Sequence, residues 1–207
     1  MKILILGATG ATGNQVLNLA LQEGHEISVY VRNPKKLENY FGKIEIIQGE
    51  LNDDNKLVEA VKNKDAVIST LGYKNLWDKS LFINKAVSIV LKAMSIYGVN
   101  KLIYESAIGI GGNHSFTNPI LRTVMRTFGV ANPFIDHNRT EKIIKQSNIN
   151  WTIVRPGKLT NGRFKGKYRA EENLKKVLTI SRADVAHCIL SSLTNENWSR
   201  KSIDISY

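Results

Sequence analysis

Apolar positions along the chain fall into two alternating kinds of segment. Short runs such as Ile3, Leu4, Ile5 and Leu6 are apolar at consecutive positions, as strands buried on both faces of a parallel sheet are. Longer stretches repeat their apolar residues every three or four positions: Val16, Leu17, Ala20 and Leu21 form a helical stripe closed by Gly24. The pattern predicts a strand over 3–6 and a helix after it, then a strand over 26–31. Asn33 and Pro34 follow as N-cap and first residue of a short helix. Further strands are predicted at 44–47, 66–70 and 102–106, separated by a helix over 52–61 that Asn52 and Asp53 open and by a long one over 79–97. In the long helix Phe82, Ala86, Ile89, Val90, Ala93, Met94 and Tyr97 keep helical spacing, and Gly98 marks the end.

Between 107 and 133 the periodicity is lost to Gly109, Gly111, Gly112, Pro119, Gly129 and Pro133, although 120–128 could hold a short helix. An irregular insert of that length is usually functional. A helix over 134–146 and a sixth strand over 151–154 come next, the latter running into Arg155, Pro156 and Gly157. A hairpin-like pair at 166–169 and 176–180 precedes a last helix, which opens at Ser181 with Asp184 completing a capping box. A strand over 202–206 closes the chain. Such alternation predicts one doubly wound α/β domain over 1–207, with a mostly parallel sheet of order 3-2-1-4-5-6 and an added C-terminal strand. A ligand would cross the carboxyl ends of strands one and four, and the 107–133 insert would cover it.

The first turn carries candidate chemistry. Gly7, Gly10 and Gly13 sit between the first strand and its helix, with Thr9, Ala11 and Thr12 among them. In a dinucleotide cradle the first glycine permits a tight turn, the second lets backbone N–H groups approach a pyrophosphate, and the third lets helix pack on strand. The unpaired N–H groups of the new helix receive the phosphates. Glu50 and Leu51, after the third strand, would flank the adenine, and Leu71 and Gly72, after the fourth, would run beside the cofactor. Cofactor choice is read at the end of the second strand, where a carboxylate would hold a ribose 2′-hydroxyl and repel a 2′-phosphate. Arg32 stands there, followed by Asn33, Lys35 and Lys36, so NADP(H) is favoured over NAD(H).

Composition narrows the remaining classes. The chain has 207 residues, a formal net charge of +11 and a single cysteine. Cys188 therefore forms no internal disulfide, and on an apolar helix face it reads as a buried small hydrophobe. Cysteine and histidine clusters that would bind a metal are absent, as are a leader-like start and an apolar run of membrane length, which leads us to expect a soluble cytoplasmic protein. The charge excess gathers between Lys158 and Lys176 with few aromatics and no nucleic-acid-binding signature, and reads as a solvated basic rim. A monomer or weak dimer is expected.

Six ordered blocks also resemble a known family: GATGATG at 7–13, VRNP at 31–34, AVISTLG at 66–72, Ser106-Ala107, WTIVRPG at 151–157 and SRADVA at 181–186. They are similar to atypical short-chain dehydrogenase/reductases of the NmrA-like branch, and within it to flavin reductases of biliverdin reductase B type. The likeness covers nearly the whole chain. It implies a Rossmann domain, NADPH, and hydride transfer to a flavin or related conjugated acceptor. Ordinary members use a Tyr-xxx-Lys pair on the helix before the sixth strand, with a serine at the end of the fifth. Ser106 matches the serine, but Pro133 and His137 stand where the pair belongs. The string from Tyr97 to Lys101 precedes the fifth strand and lies at the wrong end of the sheet. The resemblance gives His137 a place in the site.

Loss of the tyrosine argues against ketones, whose reduction makes a basic alkoxide that needs a positioned acid. A flavin, quinone or tetrapyrrole spreads the accepted charge, so positioning beside the nicotinamide carries more of the catalysis. On this reading Ser106 bonds the nicotinamide or acceptor, Pro156 and Gly157 bracket the nicotinamide, His137 orients or protonates the acceptor, and Phe116, Met125 and Phe128 cover it. Structural alternatives stand beside these roles: Ser106 satisfying backbone groups at a strand end, His137 as an exposed helix residue, Phe116 and Phe128 as ordinary core. Two other functions compete. One is a non-catalytic NADP(H) sensor acting through a protein partner, and the other a sugar-nucleotide epimerase, which needs the Tyr-Lys pair and a larger substrate domain.

Overall fold

The computed structural model describes residues 1–73, 80–110 and 132–207. Strands β1 (Lys2–Leu6), β2 (Glu26–Val31), β3 (Glu45–Gln48), β4 (Ala66–Ser69), β5 (Lys101–Glu105), β6 (Asn150–Pro156), β8 (Arg169–Glu171) and β10 (Lys201–Ser206) form one sheet of order β3-β2-β1-β4-β5-β6-β10-β8. Every pair is parallel except β8 with β10. The predicted 3-2-1-4-5-6 order and the added C-terminal strand are present.

Helices cover both faces. α1 (Ala11–Gln22) and α5 (Arg182–Ser191) pack on one side, where Ile3, Ile5, Val29, Ile103 and Val154 meet Val16, Leu17, Val185 and Ile189. α2 (Asp54–Val61), α3 (Phe82–Tyr97) and α4 (Asn132–Gln146) cover the other, on Leu4, Leu6, Val67, Leu102, Tyr104 and Ile153. Ile3 to Leu6 are fully buried because their side chains alternate between these two cores. Between β2 and β3, residues Pro34–Tyr40 form a 3₁₀ segment, with the Asn33 side chain accepting from the Lys35 N–H as the Asn-Pro signal predicts.

Three expectations are corrected. No hairpin joins 166–169 to 176–180: β8 pairs with β10, while β9 (Thr179–Ser181) runs parallel to β7 (Lys158–Thr160) in a separate two-stranded sheet. The alternation was read locally, but each strand's partner lies elsewhere in the sequence. The capping box on α5 is incomplete as well. Ser181 Oγ accepts from the Asp184 N–H at 3.0 Å, but the Asp184 carboxylate accepts from Ser181 Oγ, Tyr207 Oη and the Lys165 and Gly166 N–H groups, and Ser181 N–H goes to Tyr207 Oη. Asp184 thereby anchors the basic segment, most of whose cationic side chains are exposed. Cys188 is buried, and burial pushes its thiol up to about 12.

α3 starts at Phe82 rather than 79, and no side chain of its own caps it. The cap comes from α4. Asp136, fully buried, accepts from the Ile83 and Asn84 N–H groups, each at 2.9 Å, and from Tyr73 Oη at 2.5 Å. One carboxylate thus ties together α3, α4 and the segment leaving β4. Most of the predicted 107–133 insert, including Phe116, Met125 and Phe128, lies outside the described residues.

Candidate dinucleotide and acceptor site

The first and third glycines of the opening turn are fixed by close approach. Gly7 has φ +86°, and a Cβ there would lie 2.6 Å from the Thr70 carbonyl oxygen. A Cβ on Gly13 would come within 2.2 Å of the Gly7 carbonyl oxygen, so α1 could not sit so close to β1 with any other residue. Gly10 is different: its Cβ would meet only the Gly7 oxygen, at 3.1 Å, and the rest of its surroundings are open.

That opening faces an uncapped helix. The first turns of α2 and α5 are capped by Asp53 and Ser181, whereas α1 has no side-chain cap at Gly10 and no acidic residue in its first turn. Its orphan N–H groups and positive dipole end suit a phosphate. They open on a cleft of about 480 Å³ lined by Thr9, Gly10, Ala11, Asn14, Lys36 and Arg182, among others. Lys36 and Arg182 make the cleft cationic, and Arg182 NH1 donates to Asn161 Oδ1 at 2.6 Å. The residues present fit a dinucleotide. Arg32 stands exposed at the end of β2, and Tyr30 Oη donates to the Glu50 carbonyl at 2.8 Å, holding the Glu50-Leu51 turn. Gly49 is required there, since a Cβ would lie 2.1 Å from Tyr30 Oη.

The parallel register sets Leu6 beside Ser69, Ser69 beside Tyr104, and Glu105 beside Val154, bringing Gly7, Thr70, Ser106 and Arg155 to one edge of the sheet. Ser106 Oγ donates to Glu141 Oε1 at 2.8 Å. Arg155 holds the same carboxylate with two bonds, Nε to Oε1 at 2.9 Å and NH2 to Oε2 at 2.5 Å, and Lys145 adds a third cationic contact at 3.1 Å. Burial opposes the charge on Glu141, but Arg155, Lys145 and Ser106 together hold its carboxyl below the usual range. Ser106 thus directs its hydroxyl hydrogen at an ionised carboxylate, which leaves its oxygen as a hydrogen-bond acceptor. The expectation placed Ser106 and missed Glu141. A buried Arg155 on a strand was the available signal, because such a cation requires a carboxylate partner.

Tyr104 and Ser106 share one face of β5, and His137 and Glu141 are one turn apart on α4. Tyr104 Oη lies 2.5 Å from His137 Nδ1. Burial lowers the pKa of His137, although Asp136 and Glu141 oppose the shift, so the ring is neutral near pH 7. Pro133 is buried in the first turn of α4, one turn before His137. Pro156 and Gly157 are buried at the end of β6, where Pro156 accepts from the Ile108 N–H at 3.2 Å. The glycine has a structural reason there, because a Cβ would lie 2.4 Å from the Leu178 carbonyl oxygen. Leu71 and Gly72 follow β4 in irregular backbone. Lys101 and Tyr97 contact Glu196 and Glu59 at the far end of the sheet, away from this site.

On the opposite face of β5, Glu105 is buried under the glycine turn, bonded to Thr12 and near Arg182. Desolvation pushes its carboxyl up to about 7 despite both neighbours. It had no place in the expected site.

The sequence model of the NAD(P)H-binding family matches residues 7–196. The chain belongs to that family. It is 26% identical over 211 residues to YhfK of Bacillus subtilis, described as an uncharacterized sugar epimerase, covering 99% of this chain and 94% of that one. Over 98 residues it is 42% identical to phenylcoumaran benzylic ether reductase IRL1 of Ginkgo biloba, covering 43% of this chain and 32% of that one. The solved structure of ChuY, an anaerobilin reductase of Escherichia coli O157:H7, superposes with a TM-score of 0.85 at 20% identity, covering 100% of this chain and 97% of that one. The fold is that of atypical short-chain dehydrogenase/reductases. Among the described residues, no helix is long and apolar enough to cross a membrane, and no group of three or more His, Cys, Asp or Glu side chains could hold a metal ion.

Proposed function

We propose that the protein is an NADPH-dependent reductase that passes hydride to a flavin, quinone, tetrapyrrole or similar conjugated acceptor. The observation that carries this reading is α4, which offers a neutral His137 and a buried Pro133 at the positions of the tyrosine and lysine. With no phenol to protonate an alkoxide, the favoured acceptors are those whose accepted charge is delocalised. ChuY, an anaerobilin reductase of the same fold, supports the reading. Bound NADPH would supply the hydride.

The chain's own residues bind and orient. The turn at Gly7, Thr9, Gly10, Ala11, Thr12 and Gly13 holds the pyrophosphate, Arg32 pairs with the 2′-phosphate, and Glu50 and Leu51 flank the adenine. Leu71, Gly72, Pro156 and Gly157 border the nicotinamide half. Ser106, its hydrogen directed at Glu141, would accept a hydrogen bond from the nicotinamide or the acceptor. His137 donates a hydrogen bond to the acceptor as charge develops on it, and the second proton comes from water. The balance is two electrons and one hydrogen from the coenzyme and one proton from solvent.

The test is NADPH oxidation with FMN, a quinone or biliverdin, in wild type, Ser106→Ala and His137→Ala. Turnover that falls in both variants supports the assignment. Unchanged turnover in both reduces the protein's part to cofactor binding and shape. Tight NADPH binding by calorimetry with no turnover on any acceptor replaces the reductase with the sensor.

A further inference from the structure

We propose that Tyr104 is a positioning residue for the reaction: its phenol donates to His137 Nδ1 and locks the imidazole in the tautomer that carries its proton on Nε2. The inference rests on the reductase reading for its catalytic consequence, but not for its geometry. Tyr104 is fully buried on β5, and its Oη lies 2.5 Å from Nδ1, with the two rings tilted by 50° at a centroid separation of 5.8 Å.

Two protonation patterns could satisfy that contact, and the surroundings favour one. Thr140, whose hydroxyl also hydrogen-bonds Tyr104, donates to the Asp136 carbonyl oxygen at 2.8 Å and so leaves the phenol a second acceptor, but a weaker one than the more basic imidazole nitrogen 2.5 Å away. Burial, opposed by the Thr140 hydrogen bond but reinforced by Glu141, Asp136 and Glu105, keeps Tyr104 a phenol with a proton to give. A neutral imidazole has one accepting nitrogen, and the phenol is placed on Nδ1. Nε2 then carries the hydrogen, and among the described residues it makes no hydrogen bond. His137 therefore presents a neutral N–H donor of fixed orientation. A donor suits an acceptor that gains negative charge with the hydride, whereas the other tautomer would offer a lone pair and oppose it.

Ser106 and His137 thus have equivalent supports. β5 supplies Tyr104 and Ser106 from one face, and α4 supplies His137 and Glu141 from facing turns. Within each pair, one buried residue sets the hydrogen of the residue that meets the ligand: Tyr104 makes His137 a donor, and Glu141 makes Ser106 an acceptor.

The tautomer is read directly from ¹⁵N chemical shifts and two-bond couplings of ¹⁵N-histidine-labelled, cofactor-free protein, with His137→Gln assigning the signals. The expected wild-type spectrum shows a pyrrole-type Nε2 and a pyridine-type Nδ1. A pyrrole-type Nδ1 overturns the proposal whatever the variants do. In Tyr104→Phe, which removes one oxygen and keeps the ring, the expected result is a mixture of tautomers. The kcat for acceptor reduction should fall about tenfold, the worth of one oriented hydrogen bond, while the KM for NADPH is unchanged. His137→Gln with Tyr104→Phe should be no slower than His137→Gln alone, because the phenol acts through the imidazole. Unchanged kcat in a folded Tyr104→Phe, or additive losses in the double variant, overturns the positioning role. An Nε2–H tautomer in a protein that reduces no acceptor leaves the geometry standing and sinks the reductase reading instead.

Discussion

Replacing Glu105 with glutamine should remove the loss of stability that this one carboxyl imposes as pH rises from about 4.5 to about 7. The carboxyl is 8% exposed, and desolvation lifts it from 4.5 to about 7 against the pull of Thr12 and Arg182. Each pKa unit corresponds to ~1.4 kcal/mol, so the shift is worth about 3 kcal/mol. In this window the unfolded chain has lost the proton and the folded chain keeps it. The folded state therefore binds more protons, and unfolding free energy falls as pH rises. The contribution is intact below pH 4.5 and lost as pH climbs through 7. Glutamine retains a hydrogen-bonding group for Thr12 and cannot ionise, so its curve should lack the decline that Glu105 imposes on the wild type.

Urea denaturation at half-unit intervals from pH 4.5 to 8 measures this, with the difference between the two proteins as the readout. His137 titrates in the opposite sense: burial lowers its pKa, so it adds stability as pH rises through the same range, equally in both proteins. Glu45, Glu141 and Asp184, all held below the usual range, lose their contributions only at lower pH. The difference curve should therefore isolate Glu105, with the variant gaining about 3 kcal/mol relative to wild type by pH 8. Parallel curves would show that Glu105 is solvated, and with it that the space beneath the glycine turn is wet.

Gly13→Ala should cost about 3 kcal/mol or more in unfolding free energy, because its Cβ meets backbone at 2.2 Å, while Gly10→Ala should fold within about 1 kcal/mol of wild type yet bind NADPH at least tenfold more weakly by calorimetry. Asp136→Ala strips two N–H bonds from the start of α3 and one from Tyr73, and chemical denaturation should show a loss of about 3 kcal/mol. Arg32→Ala should raise the KM for NADPH roughly tenfold to a hundredfold and leave that for NADH nearly unchanged, because the guanidinium addresses only the 2′-phosphate; equal effects on both coenzymes would remove that assignment.

What could be read from the chain was whatever is written locally. Ile3 to Leu6, the glycine turn and the Asn33-Pro34 signal each specify their conformation within a few residues, and repeated alternation then limits the sheet to a few orders. β8 and β9 were misjoined because a three-residue strand carries no information about which edge it will meet. The start of α3 was misplaced for a related reason: its cap, Asp136, lies more than fifty residues away on another helix.

The same distinction runs through the site. Ser106 and His137 could be nominated from the sequence because a serine at a strand end and an unusual residue at a helix position stand out one at a time. Glu141, Arg155 and Tyr104 were not, because each has meaning only in a pair. A buried arginine needs its carboxylate, and a phenol decides something only when it meets an imidazole. Those pairs determine the chemistry. With Glu141 ionised beside Arg155, Ser106 cannot serve as a proton source, and with Tyr104 on Nδ1 the imidazole is a neutral donor of one orientation. The two residues nearest the expected acceptor are therefore an acceptor and a donor of hydrogen bonds, and neither is a strong acid. On the proposed reading, a site so furnished would favour substrates that can take a hydride without an accompanying proton, an argument for conjugated rings over isolated carbonyls that adds to the one from the missing tyrosine.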